Sequence, residues 1–346
     1  MSVLRTLILL AIVSVPAWCD PLQPLELSGS PTDIGRQHGT LLTKQIRLVV
    51  NEYIKDSSTW RWRKEEMLER VRRMKPSLPS WFREELTACA EAAGVDEDIL
   101  LYAQCEGDIR SLHGCTTYVA FGDATRGDIF EIGRSFDYWG FDSTESGAVI
   151  LAVKPVPADG YAFVSVGWAG ILGGWTFINE KGVFVGNNIG GGYEKNPEGI
   201  PTLIMERIIA QKAGNLEEAV KLVHEHPRMR GQVLVIGYTG DEAAGIPSDA
   251  VVIEYDAKNV KVIPHTGGFA FDSSAGRDPI DIRKKIRRRW RDPTGPVCYA
   301  GTSITLHSVA IRPLENAIWV AHGDTPSAHL GGYTRFDLRK LLSRER

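Results

Sequence analysis

The sequence predicts an α+β protein in which helices cover β-sheets, with a helical lobe at the N-terminal side. Residues 31–110 carry apolar side chains at helical spacing, and short β-rich segments begin after Cys115. Two helices over 201–226, the second capped by Asn215, then interrupt the strands, and further strands follow them. Because strands, helices and strands again succeed one another, we expect the sheets to be sandwiched between helices.

Helical periodicity accounts for the region before Cys115. A Pro-Thr-Asp start at Pro31 supplies a helix N-terminus, and apolar residues then recur at helical spacing as far as Val49. Further helices are expected over 63–74, 78–93 and 96–110, the last of which opens with acidic residues that suit the positive end of the helix dipole. These segments form the predicted helical lobe.

Short β-rich segments separated by Gly, Asp and Asn turns predict the sheets. They lie at 117–120, 129–132, 148–153, 162–166, 175–178, 183–185, 232–236 and 251–253. A very basic helix is expected over 281–291, and a terminal hairpin over 304–311 and 317–321. The chain shows no internal repeat, so a repeat architecture is not expected.

Composition argues against several classes of protein. The 346 residues are 43% hydrophobic and 24% charged, which is ordinary for a globular protein and argues against long disorder. A net charge of −3 gives no reason to expect nucleic acid as a partner. The sequence has no Cys-x-x-Cys, and His224 and His226 lie on different faces of a helix, so we expect neither a metal nor another cofactor.

The N-terminus has the pattern of a secretory signal. Residues 7–15 are apolar but too short to span a bilayer, and the small Ala17 and Cys19 stand before a cut at Asp20. We expect residues 1–19 to be removed, giving a secreted or periplasmic protein with no stable membrane insertion. An uncleaved membrane anchor is the alternative.

Export would permit disulfides, but the remaining cysteines are too few for a disulfide scaffold. Cys89 and Cys105 lie in helical patterns and are expected to pack as small core residues. A bridge between these two cysteines is the alternative.

The junction between the helical and β-rich parts carries the sharpest chemical signal. If the bond between Gly114 and Cys115 were cut, Cys115 would present a thiol and a free α-amine on one residue. An α-amine has a pKa of about 8, so it can take the proton of the thiol near neutral pH. The alternative is a cysteine that merely packs at the start of a strand.

Two later segments offer supporting groups. Arg134 and Asp137 flank a short turn and can hold the α-ammonium group and adjust its pKa, although the same two residues also suit a surface ion pair. Asn187 and Asn188 end an apolar strand, where a side-chain amide can donate to an oxyanion or simply form a turn.

Together these segments resemble one family. The ordered motifs are Gly-Cys-Thr-Thr at 114–117, Gly-Arg-x-x-Asp-Tyr at 133–138, and Asn-Glu-Lys-Gly at 179–182 leading to Asn at a strand end. This order is similar to that of the Ntn-hydrolase family of isopenicillin-N acyltransferase, which is related to bile-salt and penicillin V hydrolases and to acid amidases. The resemblance extends over roughly 31–338.

The resemblance implies a four-layer αββα sandwich and cleavage between Gly114 and Cys115. Residues 20–114 would form the helical lobe as an α fragment, and residues 115–346 the β fragment, with the two fragments remaining bound to each other. Cys115 would be both nucleophile and, through its new α-amine, base. Arg134 and Asp137 would support the amine and substrate, and Asn188, or Asn187 if the register shifts by one, would contribute to the oxyanion hole.

The sequence departs from this family at two places. The family has Asn after the Arg of its Gly-Arg motif, where this chain has Ser135. The family also has a Thr-Asn-His-like segment, at which Ser273 stands in the place of the Asn. An Arg that follows in the family corresponds to Arg277 or Arg283. Ser273 and Arg277 are therefore candidates for oxyanion or substrate contacts.

These observations predict an exported, self-processing amide hydrolase or acyltransferase that acts on a small-molecule N-acyl compound or small peptide through an acyl-thioester. The alternatives are a catalytically idle binding protein on the same fold, and a dipeptidase or lactonase-like hydrolase that uses the same cysteine.

Overall fold

The computed structural model describes residues 22–55, 58–110, 115–138, 146–274, 278–288, 304–323, 327–328 and 332–344. The predicted signal at 1–19, Gly114, Arg277 and Cys298 lie outside these residues. No helix within the described ranges is long and apolar enough to cross a membrane.

Nine α-helices are found in the described residues. They are α1 (Pro31–Leu41), α2 (Thr43–Val49), α3 (Ser58–Met74), α4 (Ser80–Ala93), α5 (Glu97–Arg110), α6 (Thr202–Lys212), α7 (Leu216–Glu225), α8 (Pro279–Arg288) and α9 (Leu338–Leu342). A π-helical segment, Val50–Lys55, continues α2. Ser30 caps α1 by accepting a hydrogen bond from the backbone of Asp33, whose carboxylate accepts from the Ser30 backbone in return.

The described strands form two sheets. They are β1 (Leu25–Gly29), β2 (Thr116–Ala120), β3 (Glu131–Tyr138), β4 (Ala148–Pro155), β5 (Phe163–Trp168), β6 (Thr176–Asn179), β7 (Val183–Asn188), β8 (Gln232–Tyr238), β9 (Asp249–Tyr255), β10 (Val260–Pro264), β11 (Phe269–Ser273), β12 (Ile304–Arg312), β13 (Ala317–His322) and β14 (Thr334–Asp337). The larger sheet has the order β1-β4-β5-β6-β7-β8-β9-β10, and the smaller has the order β11-β2-β3-β12-β13-β14.

Strand periodicity divides the interior into layers. Along β8, Val233 and Val235 belong to the core between the two sheets, whereas Leu234 and Ile236 belong to the core beneath the helices. On the outer face of the smaller sheet, Ile282 of α8 packs with Tyr118 and Phe269. The order is therefore helix, sheet, sheet, helix, which confirms the predicted α+β sandwich.

Several details differ from the sequence expectations. The first strand, β1, was not predicted; it pairs in parallel with β4, so the predicted helical lobe also contributes an edge strand to the larger sheet. The strand expected at 129–132 instead runs over Glu131–Tyr138. Strands β10, β11 and β14 were also missed. By contrast, the two helices expected over 201–226 are confirmed, and Asn215 caps α7 as predicted.

Contacts from the helical part position one loop of the larger sheet. The side chain of Gln104 accepts hydrogen bonds from the backbone N–H groups of Leu172 and Gly173, at 2.8 Å and 3.0 Å, and donates to the carbonyl of Gly170. The backbone N–H of Gly170 donates to Nε2 of His38 at 2.9 Å. Burial lowers the pKa of His38 to about 4, so the neutral ring can act as this acceptor. These contacts fix the loop at 170–173, which directly precedes β6, and β6 begins beside the candidate site.

The cysteines of the helical part are free and buried. Neither Cys89 nor Cys105 forms a disulfide, in agreement with their expected role as small core residues.

Candidate active site

The predicted site residues meet where the two sheets face each other. Cys115 directly precedes β2, and β2 pairs with β3 so that Thr117 lies opposite Arg134. Asp137 lies three residues further along β3, and Asn187 and Asn188 end β7 of the larger sheet. The tertiary structure thus brings Cys115, Arg134, Asp137 and the asparagine pair to one place.

Arg134 is the centre of a buried hydrogen-bond network. Its side chain is fully buried. Its Nη1 donates to Oδ1 of Asn188 at 2.7 Å and to Oγ1 of Thr117 at 2.8 Å. Its Nη2 donates to Oδ1 of Asn187 at 3.1 Å, and its Nε donates to the carbonyl of Trp175 at 3.2 Å. A guanidinium in this position fixes both asparagine side chains, because it can only donate and the groups facing it must accept.

The two asparagines differ in which amide hydrogens remain available. Nδ2 of Asn188 donates to both the carbonyl and Oδ2 of Asp272, at 2.8 Å and 2.7 Å, so this amide is engaged. Asn187 turns its oxygen toward Arg134, and among the described residues its Nδ2 has no hydrogen-bond acceptor. Asn187 also lines the cavity next to Cys115. Of the two, Asn187 has the geometry of an oxyanion donor, and Asn188 connects the two sheets.

Asp137 is buried and held by hydroxyl groups. Its Oδ1 accepts hydrogen bonds from Oγ of Ser135 at 2.6 Å and from Oγ1 of Thr305 at 2.8 Å. Ser135, the residue that departs from the family pattern, therefore contributes directly to orienting this carboxylate. The structure does not show a surface ion pair between Asp137 and Arg134, because both residues are buried.

Cys115 is enclosed, and its thiol faces groups of both signs. Burial raises the pKa of the Cys115 thiol above its ordinary value, and the Asp137 carboxylate adds to this. The Arg134 guanidinium and the backbone N–H of Asp137 act in the opposite direction. Since the net effect is an increase in pKa, the thiol is protonated at neutral pH and requires a base before it can act as a nucleophile.

The backbone nitrogen of Cys115 is held by a residue that the sequence reasoning missed. It donates to Oγ of Ser274 at 2.9 Å. Ser273, the predicted candidate, instead forms a hydrogen bond between its Oγ and Oγ1 of Thr116 at 2.9 Å. Strand pairing explains the difference, because Ser273 lies opposite Thr116 and the next residue therefore lies opposite Cys115. The sequence signal that could have indicated Ser274 is its position next to Ser273 in a Ser-Ser pair.

We expect Ser274→Ala to lower kcat/KM for amide substrates about 2- to 10-fold, because one net hydrogen bond of about 0.5–1.5 kcal/mol to the Cys115 nitrogen is lost. The measurement is steady-state kinetics on both variants of the serine pair. Ser273→Ala is the matched control and should have a smaller effect. A larger loss in Ser273→Ala would restore the role first predicted for Ser273.

A small cavity adjoins the Cys115 side chain, with a volume of about 40 Å³. Its lining combines aromatic side chains with polar ones: Tyr53, Gly107, Asp108, Cys115, Phe136, Asp137, Tyr138, Trp175, Asn187, Ile189, Thr202, Leu203 and Gln232. This volume accommodates about one water molecule, whereas ligand pockets typically measure about 300–1,000 Å³. The space beside the Cys115 side chain therefore suits a small chemical group rather than a whole substrate.

The other polar groups around the cavity are also ordered. Tyr53 and Tyr138 both donate to Oε2 of Glu106, at 2.7 Å and 2.9 Å. His307 lies behind Phe136, and its Nε2 is 3.0 Å from Oγ1 of Thr176. Burial lowers the pKa of His307 well below its ordinary value, so the ring is neutral and is not a source of positive charge in the site. Within the described residues, no group of His, Cys, Asp and Glu has the arrangement of a metal site.

Comparison with known proteins gives a family match over part of the chain. Residues 126–266 match the model of the family described as acyl-coenzyme A:6-aminopenicillanic acid acyl-transferase. An uncharacterized protein of Archaeoglobus fulgidus is 25% identical over 270 residues, covering 69% of this chain and 44% of the relative. The chain therefore spans less than half the length of that relative.

Solved structures similar to the chain include the Caenorhabditis elegans ortholog of N-acylethanolamine-hydrolyzing acid amidase, at 15% identity, with coverage of 65% of this chain and 100% of that one and a TM-score of 0.44. Penicillin V acylase from Agrobacterium tumefaciens is similar at 13% identity, with coverage of 67% and 89% and a TM-score of 0.39. The family match confirms the resemblance indicated by the ordered motifs: residues 126–266 carry the sequence pattern of the acyl-coenzyme A:6-aminopenicillanic acid acyl-transferase family.

Proposed function

We propose that this protein is a self-processing amide hydrolase or acyltransferase in which Cys115 is the nucleophile. The observation that carries the proposal is that Cys115 and Asn187 line one cavity, while the buried Arg134 interacts with both of them. The family match supports acyl transfer as the class of chemistry.

The proposed reaction begins with self-cleavage. The Cys115 sulfur attacks the Gly114 carbonyl carbon, its proton passes to the departing nitrogen, and the C–N bond breaks to free the α-amine; water then hydrolyses the Gly114 thioester and regenerates the thiol. The amine removes the thiol proton, and the resulting sulfur attacks the substrate carbonyl carbon. Asn187 Nδ2 donates to the oxyanion that forms, because its oxygen is occupied by Arg134. The C–N bond then breaks, the α-ammonium returns its proton to the leaving amine, and an acyl-thioester remains on Cys115. Water, or a second amine, attacks the thioester and regenerates the thiol.

Arg134 and Asp137 are positioning residues in this scheme. Arg134 orients both asparagines and favours the thiolate, whereas Asp137 offers a backbone N–H to the sulfur and a carboxylate near the α-amine. Ser274 accepts from the Cys115 nitrogen and would hold the released amine in place. We further propose that the protein is exported, secreted or periplasmic. Export favours water over coenzyme A thioesters as the second reactant, since the latter are cytosolic.

Trapping the acyl-enzyme tests this proposal. An activated acyl ester added to the purified protein should add one acyl mass to the fragment that begins at Cys115, and hydroxylamine should remove it. Cys89→Ser, which changes a buried cysteine of the helical part, is the matched control and should be labelled like the wild type. Absence of label on Cys115 in a protein that still hydrolyses amides would contradict the assignment. Absence of both label and hydrolysis would favour the idle binding protein.

A further inference from the structure

A carboxyl group next to the cavity has no role in the proposed reaction. Glu206 of α6 is fully buried, and neither of its oxygens has a hydrogen-bond donor among the described residues. Thr202 and Leu203, one turn earlier on the same face of α6, line the cavity. An unsatisfied buried polar group costs free energy, so a carboxyl with two free acceptor oxygens indicates that a donor is missing.

Arg134 does not supply that donor. It lies close enough to interact electrostatically with Glu206, but its hydrogen bonds go to the neutral oxygens of Trp175, Thr117, Asn187 and Asn188. Burial raises the pKa of Glu206 well above its ordinary value, Arg134 opposes this, and Asp108 adds to it. The Asp108 carboxylate raises the pKa of Glu206 by repulsion between like charges, so the two acidic groups lie near each other.

A second buried acceptor lies in the cavity wall itself. Gln232 is buried, and its Oε1 has no hydrogen-bond donor in the described part of the chain. Its Nε2 donates to Oδ1 of Asp108 at 3.4 Å, so its Oε1 points away from Asp108. Asp108 accepts from the backbone N–H and hydroxyl of Thr202, at 2.9 Å and 2.8 Å. We call Asp108, Glu206 and Gln232 the acceptor cluster.

Among the described side chains, carboxyl groups outnumber guanidinium groups around the cluster. Asp108, Glu206 and the nearby Glu106, which accepts from Tyr53 and Tyr138, supply three carboxyl groups. The guanidinium groups that face them are Arg134, near Glu206, and Arg230, which donates to the carbonyl of Asp108. Burial favours the neutral form of Asp108 and Glu206 as long as no cation is bound, and a bound cation would favour their ionised form. The unpaired acceptors therefore match a positively charged ligand that donates hydrogen bonds.

We propose that the acceptor cluster receives an ammonium group of the substrate, so that the preferred substrates are amides carrying a free amino group. An ammonium group has three donors and is about as large as the water molecule that the cavity accommodates. It would donate to the free oxygen of Gln232, which lines the cavity, and we expect it to donate also to Glu206, one turn beyond the lining residues Thr202 and Leu203. This inference rests on the proposed function, since it names the substrate class of the same site.

Binding of small probes tests the cluster without requiring turnover. Ethylammonium chloride should raise the Tm of the wild type by about 2 °C more than sodium chloride at the same concentration, whereas neutral ethanol should not. Glu206→Gln should abolish the difference. Glu217→Gln makes the same chemical change at an exposed position of α7 and should retain it. A wild type that responds equally to the two salts would overturn the proposal, even if Glu206→Gln fails to fold.

Kinetics on matched substrates provides the second test. We use two pairs of amides. Within each pair, one member ends in an ammonium group and the other in a methyl group. The variable group is on the acyl side in the first pair and on the amine side in the second. The ammonium member of one pair should have a kcat/KM at least about tenfold higher, and Glu206→Gln should bring the ratio close to one. Equal rates within both pairs would refute the ammonium site and leave the amidase proposal standing. Ethylammonium binding without turnover of any amide would refute the amidase proposal alone.

Discussion

The purified wild-type protein is expected to consist of two chains cut between Gly114 and Cys115, whereas Cys115→Ala remains one chain and has no amidase activity. The physical reason is that the Cys115 sulfur is the proposed nucleophile for both the cleavage and the amidase reaction. After cleavage, the freed α-amine supplies the base that a buried, protonated thiol needs for rapid turnover. The fragment from Cys115 to Arg346 should have a mass of about 25.6 kDa, and residues 20–114 about 10.5 kDa, from the mean residue mass of the 38.2 kDa chain.

Intact-mass spectrometry under denaturing conditions measures the cleavage, and size-exclusion chromatography shows whether the fragments remain bound. We expect them to co-elute, because residues before Gly114 supply both edge strand β1 and the helices that cover the larger sheet. Cys105→Ser, in the same helical part, is the matched control and should be cleaved normally. An uncut wild-type chain that hydrolyses amides would refute the mechanism.

Asn187→Ala is expected to lower kcat about 10²- to 10³-fold, the usual effect of removing one oxyanion donor. The free energy of unfolding of Asn187→Ala should fall less than that of Asn188→Ala, because Arg134 keeps its hydrogen bonds to Asn188, Thr117 and Trp175. The measurement pairs steady-state kinetics with urea unfolding of the same preparation.

Asn188→Ala is the control, and its effect should be mainly on stability. It removes one hydrogen bond from each of Arg134, Thr117 and Asp272, and each buried polar group left unsatisfied costs about 1–3 kcal/mol. If Asn188→Ala loses kcat at unchanged stability while Asn187→Ala is nearly silent, the oxyanion donor is Asn188, as first predicted from the motif. Equal stability losses in both variants would assign both residues to the network around Arg134.

Local sequence patterns predicted the parts of this protein that depend on near neighbours. Helical periodicity located α4 and α5 within a few residues, and alternating apolar segments located β2 and β4 through β9. The ordered motifs indicated the family that the match over residues 126–266 supports. The same motifs selected Cys115, Arg134 and Asp137, which the fold brings together.

Other elements have weak local signals and depend on distant partners. Strand β1 is only five residues long and is specified by its parallel pairing with β4, more than a hundred residues later in the chain. Strand β11 likewise lies on β2, and its register decides that Ser274, rather than Ser273, meets the Cys115 nitrogen. Such pairings cannot be read from periodicity, because one residue of slip exchanges the two faces of a strand.

The sequence by itself therefore predicted the fold class, the candidate nucleophile and the class of chemistry, from periodicity and from residue types in a fixed order that resembles one family. Only the tertiary structure decided which asparagine keeps an available amide, because that depends on the fixed donors of Arg134 and on Asp272 from the other sheet. It also revealed Glu206 as a buried carboxyl without a donor, which no pattern along α6 distinguishes from an ordinary helical glutamate. Hydrogen-bond satisfaction is a property of the packed interior, and the linear order of residues does not contain it.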